Sequence, residues 1–292
     1  MQSHGIFLRA IAAAMVLMLS TGCAARPPAL AAPPSSAAAC RKAHEYLHAT
    51  LWVQTAAEYG VAATIIYRYA HQALDEALVD AMRSAALEQS AGYSGLPPAV
   101  ILDIDETVID NSSYQARQIL DGAGYDSRRW SAWSARAQAP AVPGALEFVR
   151  YAAGRGIEVF YISGRTGEEE EPTRRNLQAL GFPLKQEPDT VLLRDERPEW
   201  GSDKSARRAH VARSYRILLL LGDDLGDFLP AGRLAPAERA RLAADHAPRW
   251  GRDWFLLPNP QYGSWERALY GYQTDLTDEQ ILEAKRKALR PF

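Results

Sequence analysis

The chain has 292 residues, of which 47% are hydrophobic and 23% charged, so it can bury one large core or two modest ones without disulfide staples. Its formal net charge of −2 predicts no broad basic face. Proteins that bind nucleic-acid backbones cluster Lys and Arg to release counterions. We therefore exclude nucleic-acid polymers as partners.

The first residues have the pattern of an export signal. Arg9 precedes an apolar run over residues 11–19, which is too short to cross a bilayer core of ~30 Å. The run ends at Ser20-Thr21-Gly22-Cys23, which resembles a bacterial lipoprotein box. The resemblance implies a signal peptide over residues 1–22, a lipid on Cys23 and an anchor in the outer membrane, facing the periplasm or the cell surface. The alternative is plain export with cleavage nearby.

Composition then predicts a tether and a single folded domain. Residues 23–40 are almost wholly Ala, Pro, Arg and Ser, which is typical of a flexible segment that cannot bury a core. Cys23 and Cys40 are the two cysteines of the chain, so lipidation of the first leaves no disulfide framework. From residue 41 to about 89, apolar side chains recur every three or four positions, which predicts two packed helices. They form a helical accessory element over 41–95 of a domain that runs from 41 to 292.

Beyond Pro98 the pattern is typical of an α/β fold. Short continuous apolar runs predict buried parallel strands over residues 99–102, 157–162, 191–193, 217–221 and 254–257. Helices are predicted between them, over residues 144–154, 169–180, 204–214 and 230–245. Residues 111–142 are too many for an ordinary connection and predict a small helical insert that overhangs the strand ends. The expected fold is a parallel sheet flanked by helices, with a small helical cap.

Chemistry-bearing residues follow several of these predicted strands. In an open parallel sheet, ligands bind outside the carboxyl ends of the strands, so residues at those positions should converge. They comprise carboxylates, a hydroxyl, an ammonium and glycines: Asp103, Asp105, Ser163, Gly164, Lys204, Gly222, Asp223, Asp224 and Asp227. These are the groups needed to bind a phosphoryl group, and phosphate-ester hydrolysis is the leading hypothesis.

Two carboxylates behind the first strand have separate tasks in that hypothesis. Asp103 attacks phosphorus to form an aspartyl-phosphate, while Asp105 donates a proton to the leaving oxygen and later accepts one from water. Hydrolysis should then be fastest below neutral pH, because Asp105 must begin protonated.

The remaining groups would hold the phosphate and a metal ion. Ser163, the amide of Gly164 and Lys204 can stabilise phosphoryl oxygens. Mg²⁺ prefers oxygen ligands, which Asp103, Asp223 and the backbone carbonyl of Asp105 can supply, with Asp227 in support.

The order and spacing of these residues resemble those of a known group of enzymes. Asp103-x-Asp105, Ser163, Lys204 and Gly222-Asp223-Asp224-x-x-Asp227, in that order, resemble the four motifs of haloacid dehalogenase (HAD) superfamily phosphatases. Residues 103–112 and 257–266 resemble the first motif and the carboxyl-terminal signature of class C bacterial acid phosphatases, an outer-membrane lipoprotein group that includes 5′-nucleotidases. The resemblance implies a HAD-like fold and a Mg²⁺-dependent acid phosphomonoesterase that acts on small esters such as 5′-nucleotides.

The sequence departs from that group at two positions. Gly164 stands where Asn is usual, so a side-chain contact is missing while the backbone amide remains. Asp224 stands where Asn is frequent, which leaves open whether Asp224 or Asp227 supports the metal.

Other interpretations remain open from the sequence. Tyr114, Trp130 and Tyr262 could stack on a nucleobase, or the aromatic residues of the insert could pack it onto the sheet. A receiver domain of a response regulator also holds Mg²⁺ among acidic residues, but it would carry no export signal. A surface lipoprotein that binds its ligand without turnover is the remaining alternative on the same fold.

Overall fold

The computed structural model describes residues 37–292, with side chains described from Glu45 onward. The predicted signal peptide, the Cys23 lipidation site and residues 23–36 of the predicted tether lie outside the described residues. The last residues of that tether are helical, because the first helix begins at Ala37.

Two long helices lead the described part of the chain. Helix α1 covers Ala37–Thr55 and α2 covers Ala57–Val79. The buried side chains of α2 recur at three- and four-residue spacing, as one face of a helix requires: Tyr59, Ala63, Tyr67, Ala70, Ala73, Leu74 and Ala77. The helix ends ten residues before the predicted position 89, and the chain continues through turns to the sheet.

A five-stranded parallel sheet forms the centre of the domain. Its strands are β1 Pro98–Leu102, β2 Glu158–Thr166, β3 Val191–Arg194, β4 Arg216–Gly222 and β5 Trp254–Leu256, in the order β3-β2-β1-β4-β5. All five lie where the apolar runs predict them, and β2 continues four residues past its run. Because β1 lies in the middle of the parallel sheet, the segments that follow β1, β2 and β4 in the chain meet at one edge of the sheet.

Helices connect the strands and cover both faces of the sheet. Their bounds are α3 Ser112–Asp121, α4 Ser127–Ser134, α5 Ala145–Gly154, α6 Glu170–Leu180, α7 Ser205–Ala212, α8 Pro236–Asp245, α9 Ser264–Ala268 and α10 Asp278–Ala288. Helices α3 and α4 form the predicted insert between β1 and α5. None of the helices in residues 37–292 is long and apolar enough to cross a membrane.

The core lies on both faces of the sheet because strand side chains alternate. Val100 and Leu102 point to the face covered by α2 and α5, whereas Ile101 points to the face covered by α7. A register shift beside β1 pairs Ala99 with Ile217 and Val100 with Leu219. Residues of β1 therefore contribute to the core on both faces of the sheet, as the continuous apolar run predicts.

The core also reaches the loop behind β1. The buried hydroxyl of Tyr67 on α2 donates a hydrogen bond of 2.7 Å to the backbone carbonyl of Thr107. Burial raises the pKa of Tyr67 well above its ordinary value, so the hydroxyl stays protonated and remains a donor.

Replacing Tyr67 by Phe should lower the free energy of unfolding by about 1–2 kcal/mol, because a buried carbonyl loses its donor. Chemical denaturation measures this difference. Tyr69→Phe, on the same helix but 61% exposed, is the matched control and should change stability little. Equal effects of the two substitutions would contradict the assigned bond.

Candidate active site

Lys204 joins two carboxylates that come from different strands. It immediately precedes α7, and its ammonium donates to Asp103, behind β1, and to Asp227 at 2.6 Å, behind β4. All three side chains are nearly buried, with 11%, 7% and 6% of their areas exposed. The backbone N–H of Asp103 donates 2.9 Å to the carbonyl of Leu221, which brings the ends of β1 and β4 together.

The loop behind β4 folds around the carboxylate of Asp227. Its Oδ2 accepts hydrogen bonds from the backbone N–H groups of Asp223 and Asp224, at 3.0 and 2.9 Å. A Cβ at Gly222 would overlap this side chain, so only glycine fits there. Asn259, behind β5, donates 2.8 Å to Oδ2 of Asp223. Asp227 therefore holds the loop while Asp223 faces the cluster.

Asp103, Asp223 and Asp227 form a group that fits a divalent cation. One carboxylate oxygen from each lies within 4.8 Å of the others. With three carboxylates and the one ammonium of Lys204, which bonds Asp103 and Asp227, the group carries excess negative charge when ionised. An all-oxygen donor set of this kind suits Mg²⁺. The side chain of Asp105 lies outside this group, and only its backbone carbonyl remains available for the predicted ligand role.

The charges of this group shift one another's pKa values. Burial raises the pKa of Asp103 to about 7, against the charge of Lys204 and together with repulsion from Asp227. Burial and the charges of Asp103 and Asp227 raise the pKa of Asp223 well above its usual range. Burial alone would lower the pKa of Lys204, but the two carboxylates outweigh it and raise the pKa. The carboxylates therefore repel one another, and a bound cation would relieve that repulsion.

Asp105 has a cation of its own. Nη2 of Arg165 donates 2.8 Å to Oδ1 of Asp105 and Nε donates 3.0 Å to the same oxygen. Ser163 donates 3.2 Å to Oδ2, and Asn111 donates 2.8 Å to Oδ1. Arg165 is buried, and its Nη1 donates to Ser134 on α4 and to Thr173 on α6. The guanidinium thus orients the carboxylate from β2 and ties the insert to the sheet.

A second buried carboxyl group lies beside the first motif. Glu106, only 2% exposed and at a left-handed φ of 57°, accepts hydrogen bonds from the backbone and side chain of Asn111 and from the hydroxyl of Tyr262. Burial and the charge of Asp105 raise the pKa of Glu106 to about 8. This contact joins the first motif to the carboxyl-terminal signature.

Gly164 lies between the two engaged residues of β2 and is exposed. Nothing lies within 4 Å of the position that a Cβ would take there. The backbone at Gly164 is thus open to a ligand, as its predicted phosphate-binding role requires, whereas the Ser163 hydroxyl already bonds Asp105.

The predicted stacking residues differ in their surroundings. Tyr114 is 4% exposed, its ring lies edge-on to Trp130 at 5.1 Å, and its hydroxyl donates to the carbonyl of Asp126, so it packs the insert. Trp130 is partly exposed and lies 5.3 Å from the guanidinium carbon of Arg165. Tyr262 is also partly exposed. Trp130 and Tyr262 are therefore the members of the set that a substrate could reach.

Asp224 faces away from the group of three carboxylates. Its side chain accepts hydrogen bonds from Gly226 N–H at 2.9 Å and from Ser264 N–H at 2.7 Å, and the Ser264 hydroxyl also donates to it. These bonds outweigh burial and lower the pKa of Asp224. Of the two carboxylates that the sequence left open, Asp227 lies in the cluster and Asp224 anchors the segment that begins α9.

Sequence reasoning assigned no function to Arg165, Glu106, Asn111 or Asn259. For Arg165 a signal exists, because residues two apart on a strand share a face and Arg165 follows Ser163 by two. The burial pattern of β2 confirms it, with both residues buried and Gly164 exposed between them. The contacts of the other three depend on loop geometry that no spacing reveals.

Comparison with known proteins gives a consistent family. Residues 29–265 match the acid phosphatases described as HAD superfamily, subfamily IIIB. Among curated proteins, the Stem 31 kDa glycoprotein of Glycine max is 28% identical over 166 residues, which are 56% of this chain and 58% of that protein. Acid phosphatase 1 of Solanum lycopersicum is 29% identical over 166 residues, 56% of this chain and 57% of that protein. The chain thus spans little more than half the length of these relatives.

A solved structure matches over nearly its full length. The class C acid phosphatase from Bacillus anthracis, solved with tungstate bound, is 32% identical and superposes with a TM-score of 0.77, covering 86% of this chain and 98% of that one. The parallel sheet flanked by helices is therefore the HAD-like fold that the motifs imply.

Gly222→Ala should destabilise the protein by ~1–3 kcal/mol, because the added methyl group displaces Asp227 from its two backbone donors. Thermal or chemical unfolding measures the change. Gly154→Ala at the end of α5, where nothing lies within 4 Å, controls for the loss of glycine and should be neutral or slightly stabilising. Wild-type stability in Gly222→Ala would contradict the assigned packing.

Proposed function

Because the chain belongs to the acid phosphatases of HAD subfamily IIIB, we propose that it is a Mg²⁺-dependent acid phosphomonoesterase for small phosphate esters. One observation carries the proposal: the ends of separate strands bring Asp103, Lys204, Asp223 and Asp227 into one buried cluster. Nucleophile, phosphate-binding cation and metal ligands are thereby within reach of one tetrahedral group. The class C acid phosphatase from Bacillus anthracis was solved with tungstate, a tetrahedral oxyanion, bound, which supports oxyanion binding by this chain as well.

The reaction proceeds in two displacements. A carboxylate oxygen of Asp103 attacks phosphorus and the bond to the leaving oxygen breaks, while Asp105 gives that oxygen a proton. Asp105 then takes a proton from water as the water oxygen attacks phosphorus, and the bond to Asp103 breaks to release phosphate. Arg165 and Ser163 hold Asp105 in one orientation through both steps.

Phosphate binding depends on groups that are already in place. The Lys204 ammonium lies beside Asp103 and can stabilise the negative charge that develops on the phosphoryl oxygens. The open backbone at Gly164 can donate its N–H to another oxygen. Asp103, Asp223 and the Asp105 carbonyl would hold Mg²⁺, with Asp227 in support. When bound, the ion offsets the repulsion between these carboxylates and the incoming phosphate.

Small esters with an aromatic base suit the mouth of this site. Trp130 and Tyr262 are partly exposed on the insert and on the carboxyl-terminal loop, and both contact residues of the first or second motif. A nucleobase has a π-face on which either ring can stack. We therefore propose 5′-nucleotides as the substrates, and the predicted lipid anchor on Cys23 would place their hydrolysis at the outer membrane.

Asp103→Asn should lower the hydrolysis rate of a chromogenic phosphomonoester by more than about a thousandfold, because the amide is a poor nucleophile. The rate is measured below neutral pH with Mg²⁺, and a chelator should abolish wild-type activity until Mg²⁺ is added back. Asp245→Asn, an exposed change at the end of α8, is the control. A wild type that binds phosphate without turnover would instead support the ligand-binding lipoprotein.

The nucleobase preference is tested at Tyr262 with two substitutions. Tyr262→Phe removes the hydroxyl that bonds Glu106 but keeps the ring, whereas Tyr262→Leu removes the ring as well. If the ring stacks on the base, Tyr262→Leu should raise KM for a 5′-nucleotide about tenfold or more relative to Tyr262→Phe. KM for glycerol phosphate, which has no ring, should rise equally in both. Equal KM changes for both substrates would exclude base stacking on Tyr262.

A further inference from the structure

Two consecutive arginines of α7 are buried behind the site. Arg207 and Arg208 follow Lys204 by three and four residues, and both are 0% exposed. Buried arginines are rare unless they are paired. Their partners therefore indicate why this helix carries both.

Arg207 links the carboxyl-terminal part of β2 to the loop that precedes α7. Nη1 donates to the carbonyl of Ser163, and Nη2 donates 2.9 Å to the carbonyl of Gly201. Nε is buried and has no hydrogen-bond partner among the described residues. Burial lowers the pKa of Arg207 to about 10, opposed by the charges of Asp103 and Glu196, so the group stays protonated near neutral pH. The negative charges of Asp103 and Glu196 therefore stabilise the charged form of Arg207.

Arg208 bonds the backbone behind β4. Nη1 donates 2.9 Å to the carbonyl of Asp227 and 3.3 Å to that of Gly226. Its charge is paired with Glu88, at 2.8 Å. Arg208 therefore fixes the same loop whose Asp227 carboxylate bonds Lys204.

Adjacent helix residues point about 100° apart, so one turn of α7 can reach two different loops. We propose that Arg207 and Arg208 are positioning residues that set the distances from Lys204 to the Ser163 segment of β2 and to the loop after β4 that carries Asp227. This inference rests on the proposed phosphatase function, because its consequences are defined for phosphate binding and turnover.

Arg216 provides a matched control at the other end of the sheet. It begins β4, is 5% exposed, donates to the carbonyls of Ala77, Leu78 and Asp80, and also has a buried Nε without a partner. Replacing it removes the same chemistry from a place remote from Lys204.

The experiment compares Met and Lys substitutions at Arg207, Arg208 and Arg216. It measures KM, the inhibition constant of inorganic phosphate, and kcat normalised to the folded fraction. Arg207→Met should weaken phosphate inhibition about tenfold and lower kcat, because the β2 segment that carries Ser163 and Gly164 loses its hydrogen-bonded link to the loop before α7. Arg207→Lys should recover only part of the phosphate affinity and of kcat, because one ammonium cannot reproduce the guanidinium geometry that bonds both carbonyls.

Arg208→Met should lower kcat while phosphate affinity stays within about threefold, because it acts on the Asp227 loop and keeps Arg207. Arg216→Met should lose stability and keep both constants. Wild-type constants in Arg207→Met, or equal losses in Arg216→Met, would overturn the proposal.

The phosphate-induced rise in Tm separates this inference from the proposed function. It needs no turnover, and at one fixed phosphate concentration its size reports the affinity of the folded protein for phosphate. A wild type without hydrolysis would refute the phosphatase, while a smaller Tm rise in Arg207→Met but not in Arg216→Met would still support the positioning role. If Arg207→Met does not fold, Arg207→Lys is compared with Arg216→Lys, and a smaller Tm rise in Arg207→Lys alone supports the positioning role.

Discussion

The buried ammonium of Lys204 between Asp103 and Asp227 is the interaction on which the site depends. Removing one member of a buried ion group leaves the others uncompensated, which costs far more than the pair contributes when intact. The three residues come from the segments behind β1, β3 and β4, so this charge balance also requires the strand order. Fold and site are thus coupled through one set of charges.

The two carboxylates of the first motif illustrate how environment separates similar groups. Asp103 shares Lys204 with a second carboxylate, whereas Asp105 is held by the guanidinium of Arg165 and the hydroxyl of Ser163. One lies in the group that fits a metal ion, and the other lies outside it. A nucleophile must be ionised to attack, and because burial raises the pKa of Asp103 to about 7, a bound cation would be needed to keep this carboxylate ionised below neutral pH.

The strands and their converging ends could be predicted from the sequence, because continuous apolar runs report burial and parallel strands end at one edge. The end of α2 could not be predicted, since apolar residues continue to Ala85 and Ala86, which are buried although the chain there is irregular and the Ala85 N–H donates to the carbonyl of Ile217 in β4. The sequence also could not predict which charged side chains pair with each other. That Arg165 pairs with Asp105 depends on a reach across strands that local spacing does not encode.

Asp223, Asp224 and Asp227 show the same limit within one short loop. Spacing offers Asp224 and Asp227 equally as metal support, yet the turn behind β4 directs one toward Ser264 and the other toward Lys204. The turn has this conformation because the Asp227 carboxylate accepts hydrogen bonds from two backbone N–H groups. These bonds require glycine at position 222, because a Cβ there would overlap the Asp227 side chain. A missing Cβ therefore decides which carboxylate enters the cluster. In the same way, the bonds from Arg207 and Arg208 of α7 to backbone carbonyls belong to the site as much as its charged side chains do.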